Sequence, residues 1–66
     1  MKITVNGDTL ELTSPCSVSA LLNQLDMGTG RVAVELNQAI VPRSQHQTTE
    51  LNDGDCLEIV HAIGGG

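Results

Sequence analysis

The stretch KITVNGDTLEL, residues 2–12, carries the pattern of a β-hairpin. Apolar and polar residues alternate on both sides of Asn6-Gly7-Asp8, and these three residue types tolerate the positive φ angles of tight turns. Alternation places every second side chain on the same side of a strand. We therefore expect two antiparallel strands that share one buried face, formed by Ile3, Val5, Leu10 and Leu12.

The period changes in the next stretch, TSPCSVSALLNQLDMG, residues 13–28. Its apolar residues follow the i, i+3, i+4, i+7 spacing of one helical face: Val18, Leu21, Leu22 and Leu25. The Ser17 hydroxyl can cap the first turn, and Gly28 stands where a left-handed residue commonly ends a helix. The pattern predicts a helix from about Val18 to Met27.

Strand patterns return after the helix. Apolar residues alternate along residues 32–36, and Asn37-Gln38 is typical of a turn. Ile40-Val41 then predicts a short strand that Pro42 ends.

The last third of the chain contains a polar loop and one more strand. Residues 43–50 lack a period, which predicts a loop with room for one helical turn above a buried Leu51. Residues 52–55, NDGD, form a strong turn signal. Residues 56–63 predict the last strand, with Leu57 and Ile59 inward and Glu58 outward.

The order of elements is strand, strand, helix, strand, short strand, loop, strand. This order predicts an α+β fold of the β-grasp (ubiquitin-like) type: a mixed sheet of four to five strands with one main helix packed on one face. We expect the helix to connect parallel neighbouring strands and the last strand to lie beside the first, in the middle of the sheet. The domain would then cover residues 1–61, and residues 62–66 would form a flexible C-terminal glycine tail.

Size and composition restrict the function. A chain of 66 residues without Phe, Tyr or Trp has a thin aliphatic core and no room for an enclosed active site. A carrier, a modifier or a binding module is therefore favoured over an enzyme. Eight acidic residues against three basic ones give a net charge of −5, which argues against binding to nucleic acid and favours a partner with a basic surface.

Cysteine and histidine residues show no metal-binding spacing. Cys16 and Cys56 show no CxxC spacing, and in a cytoplasmic protein we expect them to be reduced thiols without a site of their own. We expect His46 and His61 at the surface or in a strand rather than as metal ligands. No apolar run reaches the ~20 residues that span a bilayer. The start, MKITVNGD, lacks a signal-peptide pattern, which predicts a cytoplasmic protein.

Three glycines follow the predicted central strand at the end of the sequence. The five residues 62–66 reach at most about 17 Å when extended. Glycines carry no side chain, so Gly64, Gly65 and Gly66 fit a channel in a partner that is only as wide as a backbone. The functional atoms would then be those of the Gly66 α-carboxylate.

A resemblance to the ThiS family, the small sulfur-carrier proteins of thiamine biosynthesis, is carried by five stretches: ITVNG, VSALLNQL, VAVELNQAIVPR, LNDGD and IVHAIGGG. It runs from Met1 to Gly66. A terminal Gly-Gly pair is shared by many ubiquitin-like proteins, whereas VELNQAIVPR on so short a chain is more specific. The pair of the family maps to Gly65 and Gly66, and Gly64 is an additional glycine.

The resemblance implies a carrier cycle in which the chain is a co-substrate and binds no cofactor itself. A ubiquitin-activating-type (ThiF-like) enzyme would use MgATP to adenylate the Gly66 carboxylate. Sulfur from a cysteine desulfurase persulfide would displace AMP and leave a thiocarboxylate. A thiazole synthase (ThiG-like) would then take that sulfur. We expect Glu58, His61 and Arg43 near the docking surface, and a monomer when the protein is free.

Three other functions stay open at this point. The tail would look the same in a sulfur carrier for molybdopterin, tRNA thiolation or cysteine synthesis. It would also suit a ubiquitin-like modifier that joins Gly66 to target lysines. A plain binding module with an incidental tail is the third alternative.

Overall fold

The structure, a computed structural model, describes residues 1–27 and 31–61. Over these residues it contains five strands and an α-helix: β1 (Lys2–Val5), β2 (Asp8–Glu11), α1 (Val18–Gln24), β3 (Val32–Leu36), β4 (Ala39–Val41) and β5 (Cys56–His61). A 3-10 turn, Arg43–Gln45, lies between β4 and β5. The last two residues of the predicted final strand, 62 and 63, lie outside the described residues, and so does Gly28.

The described strands form one mixed sheet in the order β2-β1-β5-β3-β4. The strand β5 lies in the middle and pairs parallel with β1 and antiparallel with β3, as predicted. The expectation that the helix connects neighbouring strands was wrong. The strands β2 and β3 run in the same direction, but β1 and β5 lie between them. The sequence order conceals this separation of β2 from β3 because β5, the last strand of the chain, inserts between β1 and β3.

Packing of α1 on one face of the sheet creates the core. Along β5, alternation buries Leu57 and Ile59, which confirms their predicted inward direction. Leu10 is only partly buried because β2 is an edge strand. The buried apolar residues are Ile3, Val5, Leu12, Cys16, Val18, Leu21, Leu22, Val34, Val41, Leu51, Leu57 and Ile59.

The helix ends at Gln24 rather than at the predicted Met27. Asp26 adopts a left-handed conformation, with φ of 61°, and its N–H donates to the Asn23 carbonyl over 3.1 Å. The N–H of Met27 donates to the Leu22 carbonyl over 2.8 Å. These two bonds form a Schellman motif. Aspartate is one of the few residues besides glycine that tolerate this conformation, so it takes the position predicted for Gly28.

The loop after β4 supplies hydrogen bonds to the start of α1. The first N–H groups of a helix have no partner within the helix. Here the N–H of Val18 donates to the Thr49 carbonyl over 2.9 Å, and that of Ser19 to the His46 carbonyl over 2.8 Å. The Ser17 hydroxyl accepts from the next N–H over 3.0 Å, which confirms its predicted role as the cap.

His46 is buried, so its expected place at the surface or in a strand was wrong. Its Nε2 lies 3.1 Å from the Val41 carbonyl oxygen, so Nε2 carries the proton and donates. This bond gives Nε2 an acceptor at the end of β4 and holds the loop that caps α1. His61, in contrast, is exposed in β5, as expected.

Candidate functional site

The candidate site lies where the chain leaves β5. Pairing with β3 continues along β5 as far as Val32 opposite His61, which is the last described residue. Pairing with β1 extends only to Val5 opposite Leu57. The predicted tail, with Gly64, Gly65 and Gly66, lies outside the described residues. Its flexibility, and the division of the chain at residue 61, stay predictions.

Asn6 extends the contact between the first and last strands past the end of β1. Its backbone N–H donates to the Leu57 carbonyl over 3.0 Å. Its side chain then pairs with the backbone of Ile59. Nδ2 donates to the Ile59 carbonyl over 2.9 Å, and Oδ1 accepts from the Ile59 N–H over 2.8 Å. The side-chain amide thus takes the place of one further peptide group in the sheet.

Asn37 makes equivalent bonds at the other end of β5. Its backbone N–H donates to the Cys56 carbonyl over 2.7 Å, and its Oδ1 accepts from the Cys56 N–H over 3.0 Å. Its Nδ2 donates to Asp55 Oδ1 over 3.0 Å. Both ends of the central strand are therefore held by an asparagine on a neighbouring hairpin.

Sequence reasoning treated both asparagines as turn residues and missed these bonds. Each begins a two-residue hairpin turn, with φ of 50° at Asn6 and 51° at Asn37. Such turns require positive φ, which explains asparagine at this position without any further role. The sequence did contain one signal for these bonds. The predicted turns of the two hairpins both begin with asparagine, and these hairpins lie on either side of the last strand in the sheet.

The side of the sheet away from α1, here called the open face, carries both apolar and acidic groups. Among the described residues, Val60 and Ile40 are the large apolar side chains left exposed, at 58% and 66%. Glu35 and Glu58 lie directly opposite each other on β3 and β5. Like charges in this arrangement repel and destabilise a sheet. The outward residues of β3, β4 and β5 on this face are Ala33, Glu35, Ile40, Cys56, Glu58 and Val60.

The structure separates the three residues expected at the docking surface. Glu58 lies on the open face, whereas alternation along β5 points His61 to the opposite side, at the end of the strand. Arg43 lines a groove of about 300 Å³ beside Ser19 and Asn23 of α1, on the helix side of the sheet. One flat surface therefore does not contain all three.

The cysteines lie apart. Both belong to the described residues and are free thiols, Cys16 buried and Cys56 exposed on the open face. Within residues 1–27 and 31–61, no three His, Cys, Asp or Glu side chains lie close enough to hold a metal ion together. In the same two segments, no helix has the length and apolar character that crossing a membrane requires.

Comparison with known proteins gives matches along the whole chain. The model of the ThiS family matches residues 3–66. The sulfur carrier protein ThiS of Escherichia coli is 35% identical over 66 residues, which cover all of both chains. A thiazole synthase of Paramagnetospirillum magneticum is 46% identical over 66 residues, and this chain spans only 20% of its length. The crystal structure of a thiamine biosynthesis protein, ThiS, from Geobacter metallireducens matches with a TM-score of 0.86 at 33% identity, and all of both chains are covered.

These matches bear on both the fold and the resemblance. The structural likeness to the Geobacter metallireducens protein confirms the predicted β-grasp fold, with its mixed sheet and one helix packed on one face. The family model covers nearly the whole chain, including the strand at the centre of the sheet and the glycines that follow it. The sequence resemblance is thereby confirmed, and the chain belongs to the ThiS family.

Proposed function

We propose that this chain is a sulfur carrier of thiamine biosynthesis whose working group is the α-carboxylate of Gly66. The observation that carries the proposal is that the family match includes β5 and continues through the glycines to Gly66. A curated relative matched over its whole length is named a sulfur carrier protein. Such a protein is a co-substrate, in agreement with the expectation that the chain is not an enzyme.

The chemistry of the tail requires activation by a partner. A free carboxylate is a poor electrophile, so a ThiF-like enzyme uses MgATP to convert it to an acyl-adenylate and releases pyrophosphate. A persulfide sulfur that derives from a cysteine desulfurase then displaces AMP. A second thiol then attacks the sulfur of the donor cysteine itself. This attack breaks the sulfur–sulfur bond, leaves a thiocarboxylate on Gly66 and joins the two thiols in a disulfide. The chain itself binds neither the ATP nor the metal ion, and the cycle takes place in the cytoplasm.

A ThiG-like thiazole synthase is the proposed recipient of the sulfur. Two curated thiazole synthases, from Paramagnetospirillum magneticum and Magnetococcus marinus, each contain a segment that matches all of this chain over 20% of their own length. A carrier-like segment within the same polypeptide supports direct contact between the carrier and the thiazole synthase. The tail residues Gly64, Gly65 and Gly66 would enter the active site of this enzyme and, earlier in the cycle, that of the adenylating enzyme.

The open face is the proposed docking surface for the adenylating enzyme. It lies on the strand that leads to the tail, and it exposes Val60 beside the opposed pair Glu35 and Glu58. The repulsion between these two carboxylates is relieved when a cationic side chain of a partner approaches both. Of the three residues expected at the docking surface, this face contains Glu58, whereas His61 and Arg43 lie on the other side of the sheet.

The substitution Glu58→Lys is expected to weaken docking and to stabilise the free protein. It removes an attraction to the basic partner surface and replaces a like-charged cross-strand pair with an opposite-charged pair. We expect KM for the carrier in adenylation to rise roughly tenfold at low salt, equivalent to ~1.4 kcal/mol, and less at high salt because ions screen the charges. Steady-state kinetics at two salt concentrations, together with urea unfolding, measure both effects.

Glu50→Lys provides the matched control. Glu50 is exposed next to Leu51, in the segment that caps α1, and its substitution changes the net charge by the same amount. We expect KM to stay within about twofold of the unaltered protein for this variant. Equal KM values for the two variants would show that total charge, rather than the open face, guides docking.

An intact-mass measurement tests the proposed function. The protein is incubated with MgATP, a ThiF-like enzyme and a sulfide source, and the expected change equals the exchange of one oxygen for sulfur, located at Gly66 by fragmentation. A chain that lacks Gly65 and Gly66 serves as the control and should stay unchanged. If the unaltered chain gains no sulfur from an enzyme active on another carrier, the proposal fails. Adducts on lysine residues of other proteins would instead indicate a modifier.

A further inference from the structure

Among the described residues, Asn6 is the last group that holds β5 on the side of β1. The strand pairing with β1 ends at Val5, opposite Leu57. Beyond that point the chain turns into the hairpin, and the side chain of Asn6 occupies the N–H and the carbonyl of Ile59. Along the described residues, pairing with β3 alone continues to His61.

Ile59 is therefore the last residue of β5 held from both sides, only two positions before the strand ends at His61. A strand that is fixed along both edges has a fixed direction, whereas one paired along a single edge can pivot about that edge. The bonds of Asn6 lie where such a pivot would begin. They make up a complete donor and acceptor pair between residues 53 positions apart in the chain.

We propose that Asn6 is a positioning residue for the carrier reaction: it sets the direction in which the chain leaves β5 and so delivers Gly66 to the partner's active site. This inference rests on the proposed function, because it matters only if the end of the chain is the reacting group. Errors of about 1 Å in the position of a reacting group can reduce turnover about 100-fold. A loosened strand end should therefore affect the reaction more than it affects docking on the open face.

The chain provides an internal control in Asn37. This residue also has positive φ, also begins a two-residue turn, and also uses its side-chain amide on β5. Its bonds go to Cys56 and Asp55, at the opposite end of the strand from the tail. A purely structural role predicts similar behaviour for the two asparagines, whereas a positioning role predicts a difference.

The test compares Asn6→Gly with Asn37→Gly. Glycine accepts the positive φ of both turns, so each variant loses its side-chain hydrogen bonds without backbone strain. Both variants are assayed as substrates of a ThiF-like enzyme whose adenylation of the unaltered chain has been established beforehand. The assay temperature is one at which unfolding curves show both variants folded. For Asn6→Gly we expect kcat to fall about tenfold with KM within about twofold. For Asn37→Gly we expect both constants within about twofold.

Amide hydrogen exchange locates the structural effect. Exchange at Ile59 should accelerate in Asn6→Gly, and exchange at Cys56 should accelerate in Asn37→Gly, because each amide loses its acceptor. Asn6→Asp is a second variant that keeps the acceptor and the turn preference but loses the donor to the Ile59 carbonyl. It should give a smaller fall in kcat than Asn6→Gly, and it replaces that variant if the latter does not fold.

Two results would overturn the inference. One is an equal kcat for folded Asn6→Gly and Asn37→Gly, which reduces Asn6 to a structural residue. The other is unchanged exchange at Ile59 in Asn6→Gly. If the unaltered chain is itself not adenylated by an enzyme active on another carrier, the proposed function fails first, and the role of Asn6 in delivery fails with it.

Discussion

Gly65→Val is expected to abolish adenylation of Gly66 while the domain stays folded. A branched side chain one residue from the reacting carboxylate cannot enter a channel that is only as wide as a backbone. The substitution also changes no side chain of the described helix, strands or core. We expect a loss of at least about 100-fold in kcat/KM, because the carboxylate can no longer reach its position. Pyrophosphate release measures the rate, and circular dichroism shows the fold.

The substitution Gly64→Val is the matched comparison. It adds the same side chain one residue farther from the carboxylate, at the glycine that is additional to the family's terminal pair. A smaller loss than for Gly65→Val is expected if the channel is narrowest near the reacting group. Normal adenylation of a folded Gly65→Val protein would contradict the narrow channel and point to a tail that reacts in an open site.

Leu57→Ala is expected to remove a large part of the free energy of unfolding of the domain. Leu57 lies on the central strand and is completely buried, at 0% exposure. Truncation of a buried leucine costs about 2–5 kcal/mol through lost transfer free energy and the cavity left behind. For a domain this small and without aromatic residues we expect a free energy of unfolding of about 5 kcal/mol. The substitution therefore removes much or all of the free energy of unfolding, which urea unfolding measures.

Val60→Ala on the same strand separates packing from strand preference. Val60 points to the open face and is 58% exposed, so its truncation leaves no cavity. We expect the free energy of unfolding to fall by at most about 1 kcal/mol, from the lower strand preference of alanine. A loss for Leu57→Ala as small as this would mean that the interior repacks around the vacancy, and the thin aliphatic core would then be softer than its burial indicates.

Most of the fold could be predicted because its signals are local. Alternation marks β1, β2, β3 and β5, and helical spacing marks α1, since burial on one side imposes those periods. The end of α1 was missed because the left-handed residue of the Schellman motif is Asp26. Aspartate predicts this conformation less strongly than glycine, and Gly28 stands close by. The burial of His46 was missed because it depends on a bond to Val41 and on the docking of its loop at the helix start.

The sequence by itself determined the hairpin, the helix, the central last strand, the family and the glycines that follow β5. Only the tertiary structure decided that Glu35 lies directly opposite Glu58 and that Arg43 lies beside α1, on the other side of the sheet. The same holds for the bond that Asn6 makes to Ile59. Periodicity and turn chemistry depend on neighbours along the chain and can be read from it. A hydrogen bond between residues 53 positions apart exists only after β5 has inserted between β1 and β3, so no local pattern encodes it.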